Sequence, residues 1–222
     1  MHVTRERIER NVRMVAERMA RALERAGRPP GSVRLVAVTK SVGIEEARIL
    51  YNLGLRDLGE NRVEVGKAKI EALSSDICWH MIGTLQRRKA RDAVALFDTV
   101  DSVDRVELAA ALNERCRERE EPLPVLMEVN VSGEEAKHGF TPESAARALD
   151  EMRSMEHIEP RGLMTMAPFV DSPELARPVF AGLRELGERL GLPELSMGMT
   201  NDYEVAIEEG ATQVRIGSAL FT

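Results

Sequence analysis

Only two cysteines, Cys78 and Cys116, occur in 222 residues, and their spacing fits neither a disulfide framework nor a zinc motif. They read as reduced packing residues of a reducing compartment, and no metal is expected. The stretch from Met1 to Arg28 is rich in Arg and Glu and lacks the apolar core of a signal peptide, and no long uncharged run follows it. The expected location is cytoplasmic. Positive charge is also in deficit: 31 Lys and Arg against 37 Asp and Glu leave a net charge of -6. That balance argues against wholesale binding of nucleic acid or anionic lipid, while a local basic patch can still hold one phosphate. No Gly-rich dinucleotide fingerprint or P-loop follows any apolar run, which speaks against NAD and ATP.

What is present is an ordinary globular composition, 43% hydrophobic and 31% charged. A single domain of this length buries roughly 70% of its unfolded surface, enough for a sizeable core. Ile8, Val12, Val15, Met19 and Leu23 recur at three- and four-residue spacing, and Gly27 before Pro29 and Pro30 ends the helix they predict. Beyond it, short apolar or β-branched runs alternate with helical stretches. Strands are predicted over 33–39, 56–60, 77–82, 97–100, 125–131, 158–166, 195–199 and 213–216, each but the last followed by a substantial helix. This rhythm predicts an α/β fold, one closed (β/α)8 TIM-type barrel over residues 1–222, with the helix over 4–27 added to cover a gap in the outer ring. A doubly wound open sheet is the alternative.

The C-terminal ends of the strands form the functional face of a parallel barrel. Lys40 stands at the end of Leu35-Val36-Ala37-Val38-Thr39, where a lone amine can form a Schiff base with an aldehyde cofactor. Asn61, His80, Asn130, Met199 with Thr200, and Arg215 with Gly217 fall at or near the ends of other runs, so a barrel would gather them around one mouth. Ser196-Met197-Gly198-Met199-Thr200-Asn201 joins the seventh run to a helix, with Gly198 permitting close backbone approach and Thr200 or Asn201 available as a cap. Such a turn attracts an anion. Arg215, Gly217 and Ser218 repeat the arrangement one strand later, where barrels frequently bind phosphate.

Plainer readings of the same residues stand beside these. A lysine that ends a strand is most often a solvated charge, Asn201 with Glu204 can simply form a capping box, and Gly217 can serve a turn alone. His80 reads as a hydrogen-bonded core or rim histidine, and Met166, Met197 and Met199 as packing at the barrel top. Arg87, Arg88, Lys89 and Arg91 read as a solvated helix face rather than a nucleic-acid contact.

Val36-Ala37-Val38-Thr39-Lys40, Gly59-Glu60-Asn61, Trp79-His80-Met81-Ile82-Gly83 with Leu85-Gln86, Ser196-Met197-Gly198-Met199-Thr200 and Val214-Arg215-Ile216-Gly217-Ser218 extend from Val36 almost to the end of the chain. In order and spacing they resemble the YggS/PROSC family of pyridoxal-phosphate homeostasis proteins. The resemblance implies a barrel like the N-terminal domain of alanine racemase, the fold of type III pyridoxal 5'-phosphate (PLP) proteins, with PLP joined as a Schiff base to Lys40. It implies that Ser196, Thr200, Gly217 and Ser218 surround the phosphate with Met199 beside them, that Arg215 approaches the pyridine nitrogen, and that Asn61 and His80 line the mouth. Arg62 and Arg88 depart from the family pattern, which bears on peripheral contacts.

These roles are physically coherent. A phosphate ester carries about -1.5 to -2 charges near neutral pH, which suits hydroxyls and backbone N–H groups. An arginine beside the ring nitrogen does not share a further proton with it, leaving a weaker electron sink than a ring paired with aspartate. A racemase of this type also carries a β-rich second domain whose tyrosine reaches the other cofactor face, whereas Tyr51 and Tyr203 here fall in predicted helices. The expected function is PLP binding in intracellular PLP homeostasis, as buffering or delivery without catalytic turnover. The alternative is a small PLP-dependent, racemase-like enzyme. Expected partners are PLP and PLP-dependent apo-enzymes, with no nucleic acid and no membrane, and the chain is expected to be a monomer.

Overall fold

In a computed structural model, residues 3–134 and 138–222 are described. The chain opens with α1 (Arg5–Arg25), capped by the Thr4 hydroxyl and burying Ile8, Val15, Met19, Ala22 and Leu23 on one face. There follow β1 (Arg34–Val38), α2 (Ile44–Asn52), β2 (Asp57–Glu60), α3 (Val63–Ala72) and β3 (Cys78–Met81). After a 3-10 turn come α4 (Ala90–Leu96), β4 (Thr99–Val103), α5 (Val106–Arg115), β5 (Leu123–Glu128), α6 (Ala145–Arg153) and β6 (Ile158–Met164). The chain continues through α7 (Arg177–Leu190), β7 (Glu194–Ser196), α8 (Tyr203–Glu208), β8 (Gln213–Ile216) and α9 (Ser218–Phe221). All eight strands are parallel and pair in sequence order, with β8 returning to β1, so the sheet closes into the expected barrel.

Most observed strands begin or end within one to three residues of the runs predicted for them, because tight turns take up the ends of each run. β4 and β5 are displaced the most, by two residues at the start and three at the end, and β4 extends through Asp101 and Ser102 to Val103, past the predicted end at Val100. Those polar residues lie beyond the predicted run, yet they are buried and partnered. Asp101 accepts from Thr99 and Gln213, and the Ser102 hydroxyl donates to the Gly83 carbonyl at 2.6 Å.

Strand alternation sends Leu58, Trp79 and Met81 outward against the helices and their neighbours Gly59, Cys78 and His80 inward. The lumen is unusually polar. β4 and β8 stand opposite one another, so the 2.6 Å bond from Gln213 Nε2 to Asp101 Oδ2 crosses it. Around the outside, β8 is followed only by the four-residue α9, and α1 fills the space. Asn11 Nδ2 donates to the carbonyls of Leu220 and Thr222, and Arg18 and Arg25 pair with Glu204 and Glu208 on α8. No described helix is long and apolar enough to cross a membrane.

Candidate functional site

The C-terminal ends of the strands surround a cavity of about 580 Å³. Of the nine residues expected to hold the cofactor, seven line it: Lys40 and Asn61 on one side, Met199, Thr200, Gly217 and Ser218 on another, and Arg215 in its floor. Lys40 follows β1 directly after Thr39 and is solvent-exposed. Its base is firmly held. The buried Lys69 ammonium, reaching up from α3, donates to the Thr39 carbonyl at 2.6 Å and to Glu60 Oε1 at 2.5 Å, while the Thr39 hydroxyl donates to the same carboxylate oxygen at 2.6 Å. Asn61 follows β2, its backbone so close to Gly83 that a Cβ there would lie 2.4 Å from the Asn61 carbonyl oxygen.

Across the cavity, Gly198 turns β7 into α8 at φ +91°, and an added Cβ would sit 2.5 Å from that of Ala206. Only glycine fits that turn. The next N–H, from Met199, donates to Asp202 Oδ1 at 2.6 Å. Thr200 and Ser218, from successive turns, meet with their hydroxyls 3.1 Å apart at the rim. Arg215 is 4% exposed, its guanidinium donating to Ser196 Oγ at 2.6 Å and the Thr165 carbonyl at 2.8 Å. Burial draws its pKa down, and the carboxylates of Asp101, Glu128 and Asp202 oppose that pull.

Two expected site residues lie elsewhere. Ser196 is wholly buried behind Arg215, accepting from that side chain and, at 3.0 Å, from Gln213 Nε2, so it positions the arginine and does not line the cavity. His80 is one layer too deep in β3, and Ile82 and Gly83 form the wall in its place. Its Nδ1 lies 2.9 Å from Asp101 Oδ2 and its Nε2 3.2 Å from Asp57 Oδ1. Burial disfavours the charged imidazole, but Asp101, Asp57 and Cys78 outweigh it and raise the pKa well above the ordinary histidine value. Asn130, also expected near the mouth, ties down its own loop by accepting from Gly133 N–H and donating to the Glu134 carbonyl.

Glu128, at the end of β5, lines the cavity and was not anticipated. Burial first, and then the nearby Asp104, push its carboxyl up to about 7 against the pull of Arg215. The predicted run ended at Val131, which placed residue 128 in mid-strand; with the strand ending at 128, this is a strand-end acid. No tyrosine, histidine or cysteine occurs among the described lining residues. Tyr203 is buried with no hydrogen-bond partner for its hydroxyl among the described residues, and Tyr51 lies under the Arg56 guanidinium.

The donor set suits PLP: an accessible amine on a braced loop, two hydroxyls at the rim for an anion, a buried cation in the floor, and apolar walls from Val38, Ile82 and Ala167. Residues 3–222 match the family described as alanine racemase, N-terminal domain. The chain belongs to that family. Within it, the chain is 43% identical over 214 residues to the pyridoxal phosphate homeostasis protein of Aquifex aeolicus, covering 93% of this chain and 94% of that one. The protein of the same name from Pseudomonas aeruginosa is 40% identical, over 96% and 94% of the two chains. Among solved structures, PipY of Synechococcus elongatus with PLP bound superposes with a TM-score of 0.80 at 35% identity, covering 94% of this chain and all of that one. Alanine racemase of Clostridium difficile shares the fold at TM-score 0.77 and 15% identity, this chain spanning 56% of its length. The alanine racemase N-terminal barrel is thus the architecture here, as the sequence resemblance implied.

Proposed function

We propose that this protein holds PLP on Lys40 and serves PLP homeostasis, by buffering or delivering the cofactor to apo-enzymes, as a cytoplasmic monomer without catalytic turnover. When bound, PLP supplies an aldehyde that joins to a primary amine and a ring that withdraws electrons. The residues divide the holding among them. Lys40 provides the amine, with Lys69 and Glu60 fixing the loop beneath it. Thr200, Gly217 and Ser218 line the cavity and would hold the phosphate, and Met199 and Asn61 would bound the space around the ring.

Arg215 is kept in place by Ser196 and Thr165 and would present a permanent cation to the ring nitrogen of bound PLP, which would withhold the proton that carbanion chemistry uses. The observation that carries the reading is the convergence of Lys40, Arg215 and the Thr200–Ser218 hydroxyl pair on one cavity. Homologues named for PLP homeostasis and a PLP-bound relative at 35% identity support it.

The test is the visible absorption spectrum of the purified protein after addition of PLP. After unbound PLP is removed by gel filtration, wild type is expected to keep a protein-bound aldimine band and Lys40→Ala to lose it, and an equal retained band in both would defeat the proposal. One observation favours a second reading as a racemase-like enzyme: Glu128 offers a near-neutral carboxyl to the cavity. Incubating the PLP-loaded protein with alanine or serine enantiomers in deuterated water separates the two. Sustained α-proton exchange that Glu128→Gln abolishes would establish turnover, and its absence leaves the carrier.

A further inference from the structure

We infer that the N-terminal end of the barrel, remote from Lys40, is a divalent metal site whose protein ligands are Asp57, Cys78 and His80 and whose fitting ion is zinc. Linear spacing hides it, because Asp57 lies on another strand from the Cys-Trp-His run. The parallel register of β2 and β3 pairs Asp57 directly with Cys78, and His80, two residues on, shares the inward face of β3. One ligand atom from each residue lies within 4.8 Å of the other two. His80 Nε2 is 3.2 Å from Asp57 Oδ1 and 3.6 Å from Cys78 Sγ. A tetrahedral zinc with nitrogen and oxygen at about 2.05 Å and sulfur at about 2.3 Å needs ligand separations of roughly 3.3 and 3.5 Å. Two of the three ligand separations, those from His80 Nε2, are therefore already near the values a tetrahedral zinc requires.

A second, independent feature points the same way. The far side of the imidazole is fixed by Asp101, 1% exposed, which holds Nδ1 at 2.9 Å and is itself held by Thr99 and by Gln213 from across the lumen. A buried carboxylate that orients a histidine and leaves its other nitrogen facing a thiol and a carboxylate is the outer support that metal-ligating histidines use. The mixed sulfur, nitrogen and oxygen set selects zinc over magnesium or calcium. Three protein ligands leave a fourth position for water, and Asp57 and Cys78 are only partly buried, so the ion can reach them. The competing cation is Arg34, 3.8 Å from Asp57 Oδ1; its second contact, Glu194 at 3.4 Å, can retain it when an ion arrives.

The experiment titrates the full-length protein with zinc by calorimetry and with cobalt(II) by absorption, reading the long-wavelength d–d bands clear of the PLP chromophore. Expected are one ion per chain, intense tetrahedral cobalt bands, at least about tenfold weaker binding in Cys78→Ser and Asp57→Asn, and a loss of roughly 10–100-fold in Asp101→Asn. An unchanged far-ultraviolet circular dichroism spectrum shows that each variant is folded. No binding to wild type would overturn the inference and leave the triad as a structural hydrogen-bond cluster. One-to-one binding that Cys78→Ser leaves unchanged would overturn it too, as an adventitious surface ion only.

Discussion

Glu128 carries its carboxyl at the floor of the cavity, 4% exposed and with Asp104 nearby, so it holds a proton to about pH 7. The sign of its contribution follows. The unfolded chain releases this proton near the ordinary 4.5 while the folded chain keeps it, so the native state binds more protons between those values. Stability falls as pH rises through that window. A shift of this size corresponds to about 3 kcal/mol at most. Glu128→Gln is expected to match wild type near pH 4 and to exceed it at pH 8, as urea midpoints at the two pH values will show. Lys69 works in the opposite sense. Replacing it with Met strands the buried Glu60 charge and should cost about 3–5 kcal/mol, whereas the pair Lys69→Met with Glu60→Gln should recover much of that loss in the same denaturation assay. Neither residue was legible as part of the site, since a lysine and a glutamate nine positions apart look like surface charges until α3 folds back over β2.

At the level of elements, alternation of apolar runs with helical stretches was enough to reveal the barrel, because β and α periodicities differ and eight repeats leave little choice of closure. Sequence was less informative about depth within a strand. His80 bears out its plainer reading as a hydrogen-bonded core histidine over the mouth position the resemblance implies, whereas Ser196, expected around the phosphate, lies behind Arg215. Asp101 and Ser102 fall outside the predicted run because their partners, His80, Gln213 and Gly83, come from distant parts of the chain. The β7–α8 turn shows the reverse case, where Gly198 was correctly singled out for close backbone approach. Gly198→Ala must accept a φ of +91° and a clash with α8, and a loss of about 2 kcal/mol or more is expected in thermal unfolding. Asn11→Ala removes the bonds that hold α1 to the Leu220 and Thr222 carbonyls and should cost about 1–2 kcal/mol in the same measurement. The ion pairs of Arg18 and Arg25 along that seam, on half-exposed side chains, add little beside it.

For the molecule as a whole, the polar lumen matters most. Asp57, His80, Asp101, Gln213, Ser196 and Arg215 form one hydrogen-bonded column from the N-terminal end of the barrel to the cavity floor. Gln213→Leu breaks it in the middle, leaving Asp101 and Ser196 each short of a donor, and about 2–4 kcal/mol of stability should go with it. Because Arg215 depends on the same Ser196 hydroxyl, the effects of Gln213→Leu and Arg215→Lys on the PLP absorption band are expected to be non-additive in a double-mutant cycle.

Trp79 is the only tryptophan of the chain and sits buried on the outer face of β3, next to the residue that anchors this column. Its fluorescence therefore comes from a single emitter inside the same barrel that is proposed to hold a yellow chromophore. Cofactor loading should quench that emission and unloading restore it, so the light of one indole can clock departure of the vitamer in real time.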